Sequence, residues 1–218
     1  EEDTASTFRA LLEVFRGHGL PCSLYTDRGS HYFLTAEAGE KVDRARPPQA
    51  GRALAQLGIE HIAAYSPQAR GRSERAFGTL QDRLVKELAA AGIGDVEAAN
   101  RFIAETYLPR HNRRFAVAAS DPALAFVPLA DPGVLDDILC HQSERQVGND
   151  NTVRYRGLVL QLPSVAGRAH FVRTRVRVHA YPGGGLAVFH GPRKVARYNA
   201  YGELIEPTPT TKPSEQAA

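Results

Sequence analysis

Tyr25-Thr26-Asp27-Arg28-Gly29-Ser30 and Ser66-Pro67-Gln68-Ala69-Arg70-Gly71-Arg72-Ser73-Glu74-Arg75 are the two stretches that decide how this chain is read. The first closes an apolar strand on an aspartate. The second reads as a Gly- and Arg-rich loop that enters a long helix, with a glutamate in the first turn. Each acid alone has an ordinary explanation. Asp-X-Gly is a common turn whose carboxylate accepts backbone hydrogen bonds, and an acid near a helix start is favoured by the helix dipole. Read together they say more. Ligands gather at the carboxyl ends of strands in open α/β sheets, two converging carboxylates can hold divalent ions, and metal ions with arginines suit phosphodiester chemistry. Asp27 and Glu74 are therefore the candidate catalytic and metal-binding residues. Arg70, Arg72 and Arg75 are candidate phosphate contacts, and Gly71 would allow close backbone approach.

Outward from these stretches, the spacing of Phe8, Leu11, Leu12 and Phe15 predicts a helix over 4–16, ended by Gly17 and Gly19. A strand over 22–26 closes at Asp27, and 28–48 reads as a polar loop. A helix over about 49–57 stops at Gly58, and a strand spans 59–65. After the loop 66–72 comes a helix over about 73–91, with the stripe Phe77, Leu80, Leu84 and Leu88. Another helix, over about 95–108, ends before Pro109. This alternation predicts an α/β layer with a partly parallel sheet. A basic segment containing His111, Arg113 and Arg114 follows. Residues 116–150 read as a linker with short helices, Asp131-Pro132 capping one of them.

From about 145 the texture becomes short β-like runs divided by Gly, Pro and Asn, which fits a small barrel over 151–206. Between Asn151 and Ala200 there are nine basic residues and no Asp or Glu, a one-sign block that favours a polyanionic partner. In the run Phe171 to His179, Arg173, Arg175 and Arg177 alternate with apolar residues and would share one strand face. An arginine row without acids fits phosphate-backbone contact better than a bare solvated face. The chain has 218 residues with 43% hydrophobic and 23% charged content, enough for a sizeable core. No apolar run reaches membrane-spanning length. The two cysteines and eight histidines show no zinc spacing. Residues 207–218 read as a disordered tail. Met is absent even at position 1, so a fragment of a longer protein is expected.

The motifs Thr26-Asp27-Arg28-Gly29-Ser30, Gly58-Ile59-Glu60-His61 and Tyr65 through Arg75, with His111-Asn112-Arg113-Arg114-Phe115 beyond them, resemble the integrase catalytic core of bacterial insertion-sequence transposases, most closely the ISNCY type. That core is related to retroviral integrases. The resemblance covers roughly residues 1–200. It implies a ribonuclease-H-like fold and an Asp-Asp-Glu triad that binds two Mg²⁺ ions, Mn²⁺ substituting. Asp27 matches the second Asp and Glu74 the Glu. The first Asp has no match, because Glu1, Glu2 and Asp3 open the helix that precedes the second Asp and suit capping instead. Gly78 and Gln81 stand where retroviral integrases often carry basic residues. The polar stretch 34–48 reads as an insertion.

The expected architecture is accordingly α/β: the C-terminal half of a ribonuclease-H-like integrase core over 1–115, the linker 116–150, and a small all-β barrel that binds DNA. The expected function is metal-dependent DNA end nicking and strand transfer, with double-stranded DNA as partner, a homo-oligomer on DNA, and a cytoplasmic, nucleoid-associated location. The alternative is a DNA-binding remnant without catalysis.

Overall fold

The computed structural model describes residues 3–35, 41–43, 45–118, 120–121, 123, 125–165 and 167–205. Glu1, Glu2 and the expected tail over 207–218 lie outside the described residues. In chain order the elements are α1 (Thr4–His18), β1 (Leu20–Pro21), β2 (Ser23–Thr26), β3 (Leu34–Thr35), β4 (Val42–Asp43), α2 (Gln49–Gln56), β5 (Glu60–Ala63), α3 (Pro67–Ala90) and α4 (Val96–Phe102). A π-helical segment (Ile103–Tyr107), α5 (Leu108–Phe115), β6 (Phe126–Val127), α6 (Val134–Ile138), β7 (His141–Gln146) and β8 (Thr152–Tyr155) follow. The last strands are β9 (Leu158–Gln161), β10 (Arg175–Ala180), β11 (Leu186–His190), β12 (Arg193–Tyr198) and β13 (Leu204–Ile205). Helix and strand are mixed, as the alternation predicts. The chain divides into two compact units: Glu1–Leu24, Gly29–His61 and Phe126–Ala218 form one, and Tyr25–Arg28 with Ile62–Ala125 the other.

In the first unit, α1 starts because Asp3 caps it. The Ser6 amide donates to Asp3 Oδ1 at 2.7 Å and the Asp3 amide donates back to Ser6 Oγ at 3.2 Å, a reciprocal box that satisfies two otherwise orphaned donors. The helix runs through Gly17 and stops at Gly19, whose φ is 91°. A Cβ there would lie 2.5 Å from the Val127 carbonyl oxygen, so the pairing of β1 with β6 requires glycine at this turn. The buried face of α1, Phe8, Leu12 and Phe15, packs with Ala53 and Leu54 of α2, Ile59, and the fully buried Leu135 and Leu139. The stretch expected as a linker therefore contributes core residues.

Arg52 of α2 joins this core to the start of β7. It donates to the Cys140 carbonyl at 2.6 Å, to the Ile138 carbonyl at 3.1 Å and to Gln56 Oε1 at 2.6 Å. Gln49 adds a reciprocal pair with the Gln142 backbone at 2.9 and 3.0 Å. Burial of Arg52 lowers its pKa to about 10.

The β-rich part is an antiparallel sheet of five strands in the order β13-β12-β11-β10-β7, with a separate hairpin of β8 and β9. Val153, Leu160, Phe171, Val178, Val188 and Tyr198 are the centre of their shared core. Among the described residues no ladder closes this into the expected barrel. The reason lies after β9: Pro163, the positive-φ Gly167 and a tight turn at Phe171–Thr174 take up the chain where a closing strand would run. The gap is bridged by side chains, with Tyr198 Oη donating to the Gln161 carbonyl at 2.7 Å. The expected strand from Phe171 to His179 is also shorter. Arg173 has φ 59° and its amide donates to the Val147 carbonyl at 3.0 Å, so the strand starts at Arg175.

In the second unit, α3 begins at Pro67, a favoured first helical position. The expected loop 66–72 is thus mostly helix. The helix expected to end before Pro109 continues to Phe115. It does so through the π segment, where the Leu108 amide donates to the carbonyl of Ile103 five residues back. This wider turn accommodates a proline that an α-turn would reject.

Candidate active site and nucleic-acid interface

Strands β2 and β5 run in parallel: the Glu60 amide donates to the Cys22 carbonyl at 3.0 Å and the Ala64 amide to the Thr26 carbonyl at 2.9 Å, the same offset at both ends. Asp27 therefore leaves the carboxyl end of β2, where α/β sheets hold their ligands. Its Oδ2 lies 3.5 Å from the Arg70 guanidinium, with both side chains about two-fifths exposed. Glu74 lies four residues beyond Arg70 on α3, so the two share one helix face as surface neighbours. The structure thus pairs Asp27 with Arg70, and Glu74 follows one turn later on the helix that carries Arg70. Arg28 lies 5.2 Å from the centre of the Tyr65 ring on the second unit.

Other features of the stretch differ from expectation. Glu74 is two turns into α3 rather than in its first turn, so the helix dipole does not explain it. Ser73 is no cap; its hydroxyl donates back to the Arg70 carbonyl at 2.9 Å. Arg75 folds onto its own helix, Nε donating to the Gly71 carbonyl at 3.0 Å. The side chain of Arg72 lies outside the described residues. A Cβ on Gly71 would meet nothing within 4 Å, so the position is open for approach. Phe77, expected in the buried stripe, is 62% exposed on the face that carries Arg70 and Glu74.

Arg113 and Arg114 sit in the last turn of α5. Arg114 and Arg83 lie 5.4 and 5.1 Å from the Phe115 ring centre, and Arg110 pairs with Glu87 of α3 at 3.3 Å. His111 lies between the rings of Tyr107 and Phe115, tilted by 30° and 41° against them. These contacts hold α5 along α3 and leave Arg113 exposed.

On the sheet, the expected row of three arginines is two. Arg175 is exposed, and Arg177 lies opposite Glu144 with a weak bond to Gln142 Oε1 at 3.5 Å. Arg173 turns away and bonds Asn149 Oδ1 at 3.2 Å. Arg175 and Arg177 line a small hollow of about 200 Å³ with Glu144 and Phe189.

Two groups were not legible in the sequence. Asp137 accepts from Tyr181 Oη at 2.5 Å and pairs with Lys194 at 2.9 Å; nothing in the linear order brings α6 to β12. His179, which alternation places on the arginine face, is buried and stacks on Phe189 at 4.1 Å. Among the described residues neither of its ring nitrogens has a hydrogen-bond partner. Burial lowers its pKa to about 4. Burial also raises the Cys140 thiol to about 12, which keeps it an unreactive thiol. Among the described residues no three His, Cys, Asp or Glu side chains group as metal ligands. No helix among them is long and apolar enough to cross a membrane.

Sequence comparisons add the lineage. No family model matches the chain. A Sinorhizobium fredii protein, y4bF, provisionally named a transposase, is 36% identical over 189 residues, 85% of this chain and 40% of that protein. The transposase for insertion sequence IS1202 of Streptococcus pneumoniae is 29% identical over 174 residues, 79% of this chain and 37% of its own length. The chain thus spans about two-fifths of the curated relatives it matches. Matching two such proteins over most of its length, it is related to the transposases of insertion sequences.

Proposed function

We propose that this chain is part of a transposase of ribonuclease-H-like type, and that Asp27 and Glu74 are two of the carboxylates of its DNA-nicking and strand-transfer centre. The observation that carries the reading is the meeting of Asp27, at the end of a parallel strand, with Arg70, one turn ahead of Glu74. Carboxylate oxygens suit Mg²⁺ or Mn²⁺. Asp27 and Glu74 would each supply carboxylate oxygens to the shell of such an ion. When bound, such an ion supplies Lewis acidity at phosphorus and a more acidic nucleophile. Arg70 neutralises Asp27 and is placed to turn toward a phosphate oxygen as DNA arrives. Arg75, Arg113, Arg175 and Arg177 supply exposed or half-exposed positive charge for duplex contact, the target of a DNA transposase. An oligomer on DNA accords with a reaction that handles two transposon ends and a target.

The test supplies this chain with the remainder of the Sinorhizobium relative and measures nicking and joining of a transposon-end duplex with Mg²⁺ or Mn²⁺. Activity should be lost on Asp27→Asn or Glu74→Gln, with DNA binding nearly intact. Activity that survives Glu74→Gln sinks the ligand assignment. DNA binding with no nicking under any supplementation would instead favour a remnant that binds DNA only.

A further inference from the structure

The first unit holds a cavity of about 590 Å³ to whose lining neither Asp27 nor Glu74 contributes. Its lining comes from α1 (Arg9, Leu12), from Asp136 and Asp137 of α6, from the turn after β10 (Tyr181, Pro182, Gly183) and from β12 (Lys194, Arg197). The charges sort unequally. Asp136 is neutralised by Arg16 at 2.6 Å, and Asp137 by Lys194 at 2.9 Å with Tyr181 Oη as a second donor. That leaves Arg9 and Arg197, both exposed, without a carboxylate within ion-pair distance among the described residues. Two guanidiniums at one cavity, neither held in an ion pair among the described residues, are available to an anion, and guanidinium matches phosphate oxygens bidentately. The apolar ring of Pro182 beside them suits a sugar rather than a bare ion.

We infer that this cavity takes a sugar-phosphate segment of a DNA strand, clamped between Arg9 and Arg197. The site rests on the reading of the chain as a DNA-acting protein, and it adds a contact from α1 to those on β10. Gly183 lines the cavity, lacks a positive φ, and has open space around a Cβ, so a side chain there is tolerated by the fold and projects charge at the ligand.

The experiment measures binding of a labelled duplex across a salt series for the wild type, for Arg9→Gln with Arg197→Gln, and for Gly183→Glu. The double variant should lower the slope of log affinity against log salt by about 2, one for each lost phosphate, for every sequence alike. Gly183→Glu should weaken binding without removing a cation. In parallel, bound duplex should protect Arg9 and Arg197 from phenylglyoxal, read by mass spectrometry, which checks the site in the unaltered chain. A steep wild-type slope that neither variant changes, with no protection, overturns the cavity assignment alone. A wild type with no salt-dependent DNA binding overturns the DNA reading as well. Protection by inorganic phosphate but not by DNA would make this a free-anion site and overturn the strand assignment.

Discussion

His179 should make the stability of this chain fall on mild acidification, and its replacement should remove that fall. The imidazole is 4% exposed and sits flat on Phe189, its rings tilted by 22°. The charged groups around it are Asp137 of α6, Arg177 on its own strand, Arg52 of α2 and Lys194 of β12. Three of these are cations, so they assist burial in disfavouring the protonated ring, and Asp137 alone opposes them. The folded pKa of about 4 lies below the ordinary 6.5. The unfolded chain therefore binds more protons between these values. Stability is full above about pH 6.5 and declines as pH falls toward 4. From pH 7 to about pH 4.5 the contribution lost is about 2 kcal/mol. His179→Phe keeps a ring against Phe189 and abolishes the titration. It should also gain about 1 kcal/mol at neutral pH, because two unpartnered buried nitrogens disappear. The chain has eight tyrosines and no tryptophan, so tyrosine fluorescence reports urea unfolding. Wild type minus variant at the two pH values isolates His179 from carboxylates that both proteins share. Equal acid sensitivity in the two proteins, or an NMR titration of the His179 ring near its ordinary pKa, would refute the reasoning.

Three further outcomes are expected. Arg52→Ala should destabilise the first unit by about 2–4 kcal/mol, because the Ile138 and Cys140 carbonyls lose a charged donor; a urea midpoint within error of wild type would count against it. Gly19→Ala should cost at least about 2 kcal/mol, from its φ of 91° and the 2.5 Å approach of the Val127 carbonyl, visible as a lowered melting temperature. Gly78→Ala lies inside α3 with open space around its Cβ, so it should add up to about 1 kcal/mol of stability to the second unit, read by hydrogen exchange along α3.

What the sequence disclosed and what it withheld follow physical lines. Phe8, Leu12 and Phe15 repeat at helical spacing and Asp3 stands where a cap belongs, so α1 was legible from local signals. Asp27 and Glu74 stood out only as a pair, since each has an innocent local role, and their joint role is the proposal made above. The first turns of α3 were hidden because Gly71 and three arginines compose like a loop, whereas Pro67 is an equally good helix start. Pro109 signalled an end that the π turn absorbs. Arg173 broke the alternating run because a residue with positive φ leaves no mark when it is not glycine. The contributions of Leu135 and Leu139 to a core were invisible in a helix of five residues, too short to show a period. Buried His179 and the Asp137–Lys194–Tyr181 group depend on which strands neighbour one another, which no local pattern encodes.

The π segment before Pro109 carries a consequence for descent. Its wide turn holds one residue more than an α-helix needs, and each residue in a helix turns the chain by about 100°. Removing one residue between Ile103 and Tyr107 would close the wide turn to an α-turn and leave the residues after it on nearly the same helix faces, so Arg110 would keep Glu87. What changes is the setting of Pro109, whose ring would then meet an ordinary α-turn that rejects it. The extra residue and the proline therefore belong together, and a relative that lacks the one should lack the other.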